Sequence, residues 1–297
     1  MFVVRALASM VFVFLPLSAT AQMTLSPDDL RLSLGMTWEQ EIATVLSSLE
    51  DSKFDIGSAG ADQSSDLTGS ISNSILAFVR SSVLSLEQVP DAASFSDADY
   101  AVYYNIAIAS NGTGGTDEIE TYHYFQRRPE GDVLIGAEGP AGQVSFPLVD
   151  MGTPWPLEFG KSWAVENFSL DQTIPPGITS SGLYDYQYAV DAWGEIRLPA
   201  GTFDCLRIHQ TGTGVVTFRG NDQLASLGEM TAEIDAYGWY ARGIGAVAMV
   251  VETKQTFASG NIPPTTTTQI ARLTEISSPA SAIAVESWGA LKGKFAE

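Results

Sequence analysis

The chain reads as an all-β protein, mainly antiparallel, with a curved sheet forming a half-barrel or sandwich and few helices. Three observations predict this class. Short stretches of alternating apolar and polar residues recur, turn residues punctuate them, and the 3.6-residue apolar period of helices is scarce. The clearest alternation covers residues 184–190, placing Tyr184, Tyr186, Tyr188 and Val190 on one face. Residues 193–198 continue the extended path after a bulge expected at Gly194. Pro199-Ala200-Gly201 then closes a hairpin, because proline presets φ and glycine accepts the positive φ of the turn. Strands follow at 202–210, 213–219 and 229–240, the last running into the glycine turn Ala241-Arg242-Gly243-Ile244-Gly245. Two more, 246–257 and the β-branched stretch 265–276, complete an antiparallel meander.

Two stretches read differently. Ile71, Ile75, Phe78, Val79, Val83 and Leu86 fit one amphipathic helix, although the serines and β-branched residues between them suit a pair of strands almost as well. Residues 51–69 are polar, with Gly57, Gly60 and Gly69 among aspartates, and read as a loop. No repeat of fixed period is present.

The N-terminus has the form of an export signal. A single positive charge at Arg5 precedes the apolar run from Ala6 to Leu17, and Ala19 and Ala21 satisfy the small-residue rule for cleavage. That run falls short of the roughly 20 apolar residues of a spanning helix. No cysteine stands at the cleavage site for a lipid anchor, and no later stretch is long and apolar enough to span a membrane. The expected organisation is a signal peptide at 1–21, one β-rich domain at 22–276, and a linker and tail at 277–297. The product is placed outside the cytoplasm: secreted, periplasmic or at the cell surface. Cys205 is the single cysteine, so the fold rests on its core rather than on a disulfide.

Charge excludes more than it assigns. Fifteen basic against 35 acidic residues give a net charge of −20, one unit more negative once Arg5 leaves with the signal. Such a surface repels nucleic acid and anionic headgroups, whose binding depends on clustered Lys and Arg.

Tyr188-Ala189-Val190, the run from Gly194 through Pro199-Ala200-Gly201-Thr202-Phe203 to Ile208, and Trp239-Tyr240-Ala241-Arg242-Gly243-Ile244-Gly245 resemble a broad group of exported β-rich bacterial proteins of unknown function. Pro154-Trp155-Pro156 leading to Trp163 looks like that group's preceding element, so the resemblance spans roughly residues 155–276. It implies a curved sheet of the lipoprotein-carrier type, with a concave apolar face for a lipid or a partner strand.

Catalytic patterns are missing. No Gly-x-Ser-x-Gly elbow is present. The two histidines, His123 and His209, both fall in expected strands. Cys205 and His209 lie four residues apart on one strand, about 13 Å, against the ~3 Å a catalytic pair needs. Zinc spacings are absent. Calcium is the one metal the composition suggests, with Asp51, Asp55, Asp62 and Asp66 as candidate ligands and Asp97 with Asp99 as a lesser cluster. Gly212-Thr213-Gly214 has no helix behind it to hold a phosphate and reads as part of a strand turn.

The expected function is therefore non-enzymatic binding of an apolar ligand, a lipid or an envelope partner, without a cofactor. Trp193, Phe203, Trp239 and Tyr240 are the candidate ligand-binding aromatics. Two alternatives stand beside it: a secreted carbohydrate-active hydrolase using paired carboxylates, and a surface or matrix protein attached through its C-terminal tail.

Overall fold

The Pro199-Ala200 turn joins the two longest strands of a computed structural model that describes residues 23–45, 54–70, 75–89, 92–109, 116–140, 142–145, 153–174, 178–220, 226 and 228–277. The signal segment, Asp51 and the C-terminal tail lie outside these residues. Strands β11 (Ile178–Leu198) and β12 (Gly201–Arg219) pair from Leu198↔Gly201 out to Thr179↔Arg219. The expected strands at 202–210 and 213–219 are one strand, and Gly212-Thr213-Gly214 lies in its middle. Flanking them, β10 (Ser162–Ile174), β13 (Met230–Ala241), β14 (Gly245–Phe257) and β15 (Thr265–Ser277) complete an antiparallel meander in chain order.

A second meander comes from the N-terminal half. It comprises β2 (Thr37–Val45), β4 (Ile75–Leu84), β5 (Tyr100–Ala109), β6 (Thr116–Arg128), β7 (Gly131–Gly139) and β8 (Gly142–Ser145). The ladder between β15 and β2 joins the halves into a single open, all-β sheet. The stretch that fits a helix or a pair of strands is, from residue 75 on, one strand followed by a short 3-10 turn at Leu86–Gln88, while Ile71 lies outside the described residues. Val79, Ser81 and Val83 are all buried, a period of two. A spacing of four residues satisfies a helix and a strand face equally, which is why the pattern misled.

The expected loop at 51–69 also differs. It contains β3 (Gly60–Asp66), which pairs in parallel with Ala192–Arg197 on the edge of β11 that β10 leaves free beyond Ala189. Its polarity hides the strand, because its buried side chain is Ser65, whose hydroxyl donates to Ile56 O and accepts from Trp239 Nε1. Gly194, at φ 147°, makes the approach possible: a Cβ there would sit 1.9 Å from Gln63 O. The bulge itself lies at Asp191 rather than at Gly194, since Val190 faces Ile208 but Ala192 faces Arg207.

The β11–β15 half carries apolar residues on both faces near the hairpin. One face packs Ile196, Cys205, Trp239, Val250 and Ile270 against Leu67, Phe54 and Ile56 of the β3 segment. The other packs Val190, Leu206, Trp193 and Tyr240 beneath β1 (Thr24–Leu25), β9 (Leu157–Glu158) and Leu30. Ala200 N–H donates to Leu273 O, so the hairpin curls over the Trp239 face and the β3 segment fills the curl.

Two buried arginines hold that segment. Arg207 on β12 donates through Nε and Nη2 to the two carboxylate oxygens of Asp191, at 2.9 and 2.8 Å, and through Nη1 to the carbonyls of Ile56 and Gly57. Arg272 on β15 repeats the arrangement with Glu41 Oε2 at 3.0 and 2.7 Å and with the carbonyls of Leu67 and Gly69. Their side chains are only 3% and 5% exposed. Removing one partner of such a pair leaves an uncompensated buried charge and costs about 3–5 kcal/mol. Arg272→Met is expected to lower unfolding stability by that amount in urea titration, and the Arg272→Met/Glu41→Leu double variant should recover much of it.

Candidate functional site

The four aromatics singled out from the sequence do not converge. Trp239 and Phe203 belong to the face covered by the β3 segment; Trp193 and Tyr240 belong to the opposite face with Leu206. Trp239 donates Nε1–H to Ser65 Oγ at 3.2 Å and is a core residue. The cavity beside it, lined by Gln63, Ser65, Trp193, Cys205 and Arg207, measures about 10 Å³. That is room for one water at most, not for an apolar ligand.

The candidate calcium ligands cap turns. Asp55 and Asp66 pair through their backbones, Asp55 Oδ1 accepts the Gly57 N–H, and Asp66 Oδ1 accepts both the N–H and the hydroxyl of Thr68. The Thr68 bonds hold the Asp66 carboxyl below its usual range, with a smaller contribution from Arg197. Asp62 sits at φ 54°, and Asp99 accepts the Arg127 N–H. Among the described residues no three acids, histidines or cysteines gather as a metal site.

The two histidines sit in strands as expected. His123 on β6 packs against Tyr104, and burial pushes its pKa down. His209 on β12 stacks on Tyr237, with Asp235 at 2.6 Å from Nε2 and Asp191 at 4.0 Å from Nδ1. Its ring occupies the space between those carboxylates. Cys205 pairs with Gly194 and Ala241 in the ladders, four residues along β12 from His209, and burial raises its thiol pKa well above the ordinary value. Among the described residues around these histidines neither a nucleophile nor a facing pair of free acids is assembled. Because the thiolate is the reactive species, Cys205 should resist a thiol reagent in the native protein and label only as denaturant opens the core.

A different surface stands out, on the face of β10–β15 opposite the β3 segment, running outward from the cluster beneath β1 and β9 against which Trp163 packs. Three cross-strand rows traverse all six strands there. The first is Val165, Tyr186, Gly212, Ile234, Thr253 and Thr267. On one side of it runs Trp163, Tyr188, Gln210, Ala236, Val251 and Gln269; on the other, Phe168, Tyr184, Gly214, Ala232, Gln255 and Thr265. None of these side chains is charged, in a chain with 50 charged residues. The reverse face of the same strands carries Asp185, Glu233, Asp235, Glu252 and Lys254.

The rows grade from an aromatic bank through a small-residue floor to a bank of threonine and glutamine. Trp163 stacks on Tyr188 at 4.9 Å and 8°, and Tyr184 lies parallel to Tyr186 at 5.7 Å and 5°, with Phe168 tilted against both tyrosines. The tyrosine rings lie down on glycine: a Cβ at Gly212 would meet Tyr186 at 2.5 Å, and Cβ atoms at Gly214 and Gly182 would meet Tyr184 at 2.2 and 2.4 Å. Desolvation raises the phenol pKa values, to about 12 for Tyr186 and Tyr188, so the hydroxyls stay protonated at any physiological pH. Trp163 Nε1–H is buried without an acceptor among the described residues.

The alternation of Tyr184, Tyr186 and Tyr188 marked a strand face in the sequence but not a site. The overlooked signal was the glycine pair on the returning strand, which only the correct register brings beneath the rings. Gly214→Ala would normally favour a strand slightly, yet here it is expected to destabilise by about 1–3 kcal/mol through overpacking, measurable in urea melts.

No family model matches the chain, and no curated protein matches it. Two solved structures align with it. One is a candidate lipoprotein from Parabacteroides distasonis, 12% identical over 85% of this chain and 99% of that one, with a TM-score of 0.33. The other is a candidate exported protein with a YmcC-like fold from Bacteroides fragilis, 11% identical over 86% of this chain and 100% of that one, with a TM-score of 0.31. Neither likeness bears on the site. No helix among the described residues is long and apolar enough to cross a membrane.

Proposed function

We propose that the protein is exported and acts by binding, without catalysis, through the uncharged aromatic face of β10–β15. The observation that carries this reading is the division of charge between the two faces of the same strands. A sheet face kept free of ions in so acidic a chain suits contact with an uncharged or apolar partner, since any charge there would be desolvated on docking. Export rests on the N-terminal apolar run and its small-residue cleavage pattern.

Lipid, small apolar ligand and envelope protein all remain chemically compatible with such a face. A hydrolase is less well supported, because Asp191 is committed to Arg207 and Asp235 to His209.

Native mass spectrometry of the mature chain, purified from its own envelope fraction, tests the proposal. A bound mass is expected in the natural protein and in a Leu183→Asp control, whose altered side chain is 51% exposed on the reverse face. Val165→Asp, which places a charge in the central row directly beside Tyr186, should lose it. A clean apo mass from the natural protein, or retention by Val165→Asp, would overturn the binding-face reading.

A further inference from the structure

Resting on the binding face proposed above, we infer that its ligand is a neutral glycan chain lying along β11 over Tyr184, Tyr186 and Tyr188. Three features of the surface distinguish this ligand from an acyl chain or an acidic polymer. The first is the attitude of the rings. With glycine beneath them, Tyr184 and Tyr186 lie parallel to each other and against the backbone, so one π face of each ring is turned away from the sheet. A pyranose presents a flat patch of C–H groups that stacks on such a face, whose π cloud carries partial negative charge. An acyl chain instead requires enclosure, because its burial from water supplies the affinity.

Hydrogen-bonding capacity is the second feature. The hydroxyls of the three tyrosines have no protein partner among the described residues, and Gln210 lies in the adjacent strand of the same face. Phenol and amide groups both donate and accept, which matches the mixed capacity of sugar hydroxyls. The third is charge. No Lys or Arg stands on the three rows to hold a uronate, sulfate or phosphate, and the net charge of −20 repels acidic polymers. From Tyr188 to Tyr184 the strip runs about 13 Å along the strand, which suits an oligosaccharide rather than one sugar ring.

Affinity electrophoresis of the mature protein through gels containing soluble β-glucan, mannan or xylan provides the test, with alginate gels and phosphatidylcholine vesicles as comparisons. Retardation is expected in at least one neutral polysaccharide, undiminished by added salt. Neither alginate nor vesicles should bind. Tyr186→Ala should weaken binding about tenfold, the value of one stacked ring, while Tyr186→Phe keeps most of it. Circular dichroism and urea melts of both variants verify that they are folded. The glycan assignment is overturned if no neutral polysaccharide retards the protein, if alginate or vesicles bind equally well, or if folded Tyr186→Ala binds unchanged. A mass retained in the native experiment and lost in Val165→Asp, without glycan retardation, would leave the face standing and remove only its ligand class.

Discussion

Everything near the hairpin depends on two guanidinium groups reaching backbone carbonyls of one polar segment. A stretch such as 54–70, with little apolar side-chain surface, cannot dock through hydrophobic burial alone, and its carbonyls would be stranded without donors. Arg207 and Arg272 supply those donors at Ile56 and Gly57 and at Leu67 and Gly69. Each arginine needs a carboxylate to remain buried, and Asp191 and Glu41 provide them from neighbouring strands. A well-packed apolar pair could match such ion pairs in stability. What the ion pairs add is position: planar groups with directed donors fix where each end of the segment lies.

The clamp and the aromatic face are coupled through one residue. Asp191 is the extra residue of the bulge in β11, and the bulge brings its carboxylate onto the Arg207 side. The same insertion shifts every pair beyond it by one position. Tyr186 thereby faces Gly212 and Tyr184 faces Gly214. Without the bulge these tyrosines would oppose Thr213 and Val215, and the rings would have side chains beneath them instead of bare backbone. A core requirement and a surface arrangement thus share one register.

This coupling also explains what could be read from the chain. The antiparallel meander was legible because turns such as Pro199-Ala200-Gly201 and alternating residues such as Tyr184 to Val190 act locally. β3 was not legible, since its stability comes from Arg207, Arg272 and a parallel edge more than 100 residues away in sequence. The site was half legible. Its tyrosines were visible as a face, but the glycines beneath them depend on a bulge expected at Gly194 and found at Asp191. Trp239 attracted notice as an aromatic, yet it is buried in the core, and burial is set by which segment covers which face.

The distribution of charge follows from the same geometry. Side chains alternate between faces along each strand, so the two faces are free to evolve separately. On the reverse face an acid can be offset by a neighbouring cation, as Lys254 offsets Glu233. On the three rows of the aromatic face no cation stands to neutralise an acid, and a carboxylate resting on an outward ring face would meet the negative π cloud without compensation. Aromatic, glycine, alanine, threonine and glutamine residues are what remains for a surface that must keep solubility without ions. The overall acidity of the chain then works through exclusion: it turns anionic surfaces and polymers away and leaves the neutral face as the region where close contact costs least.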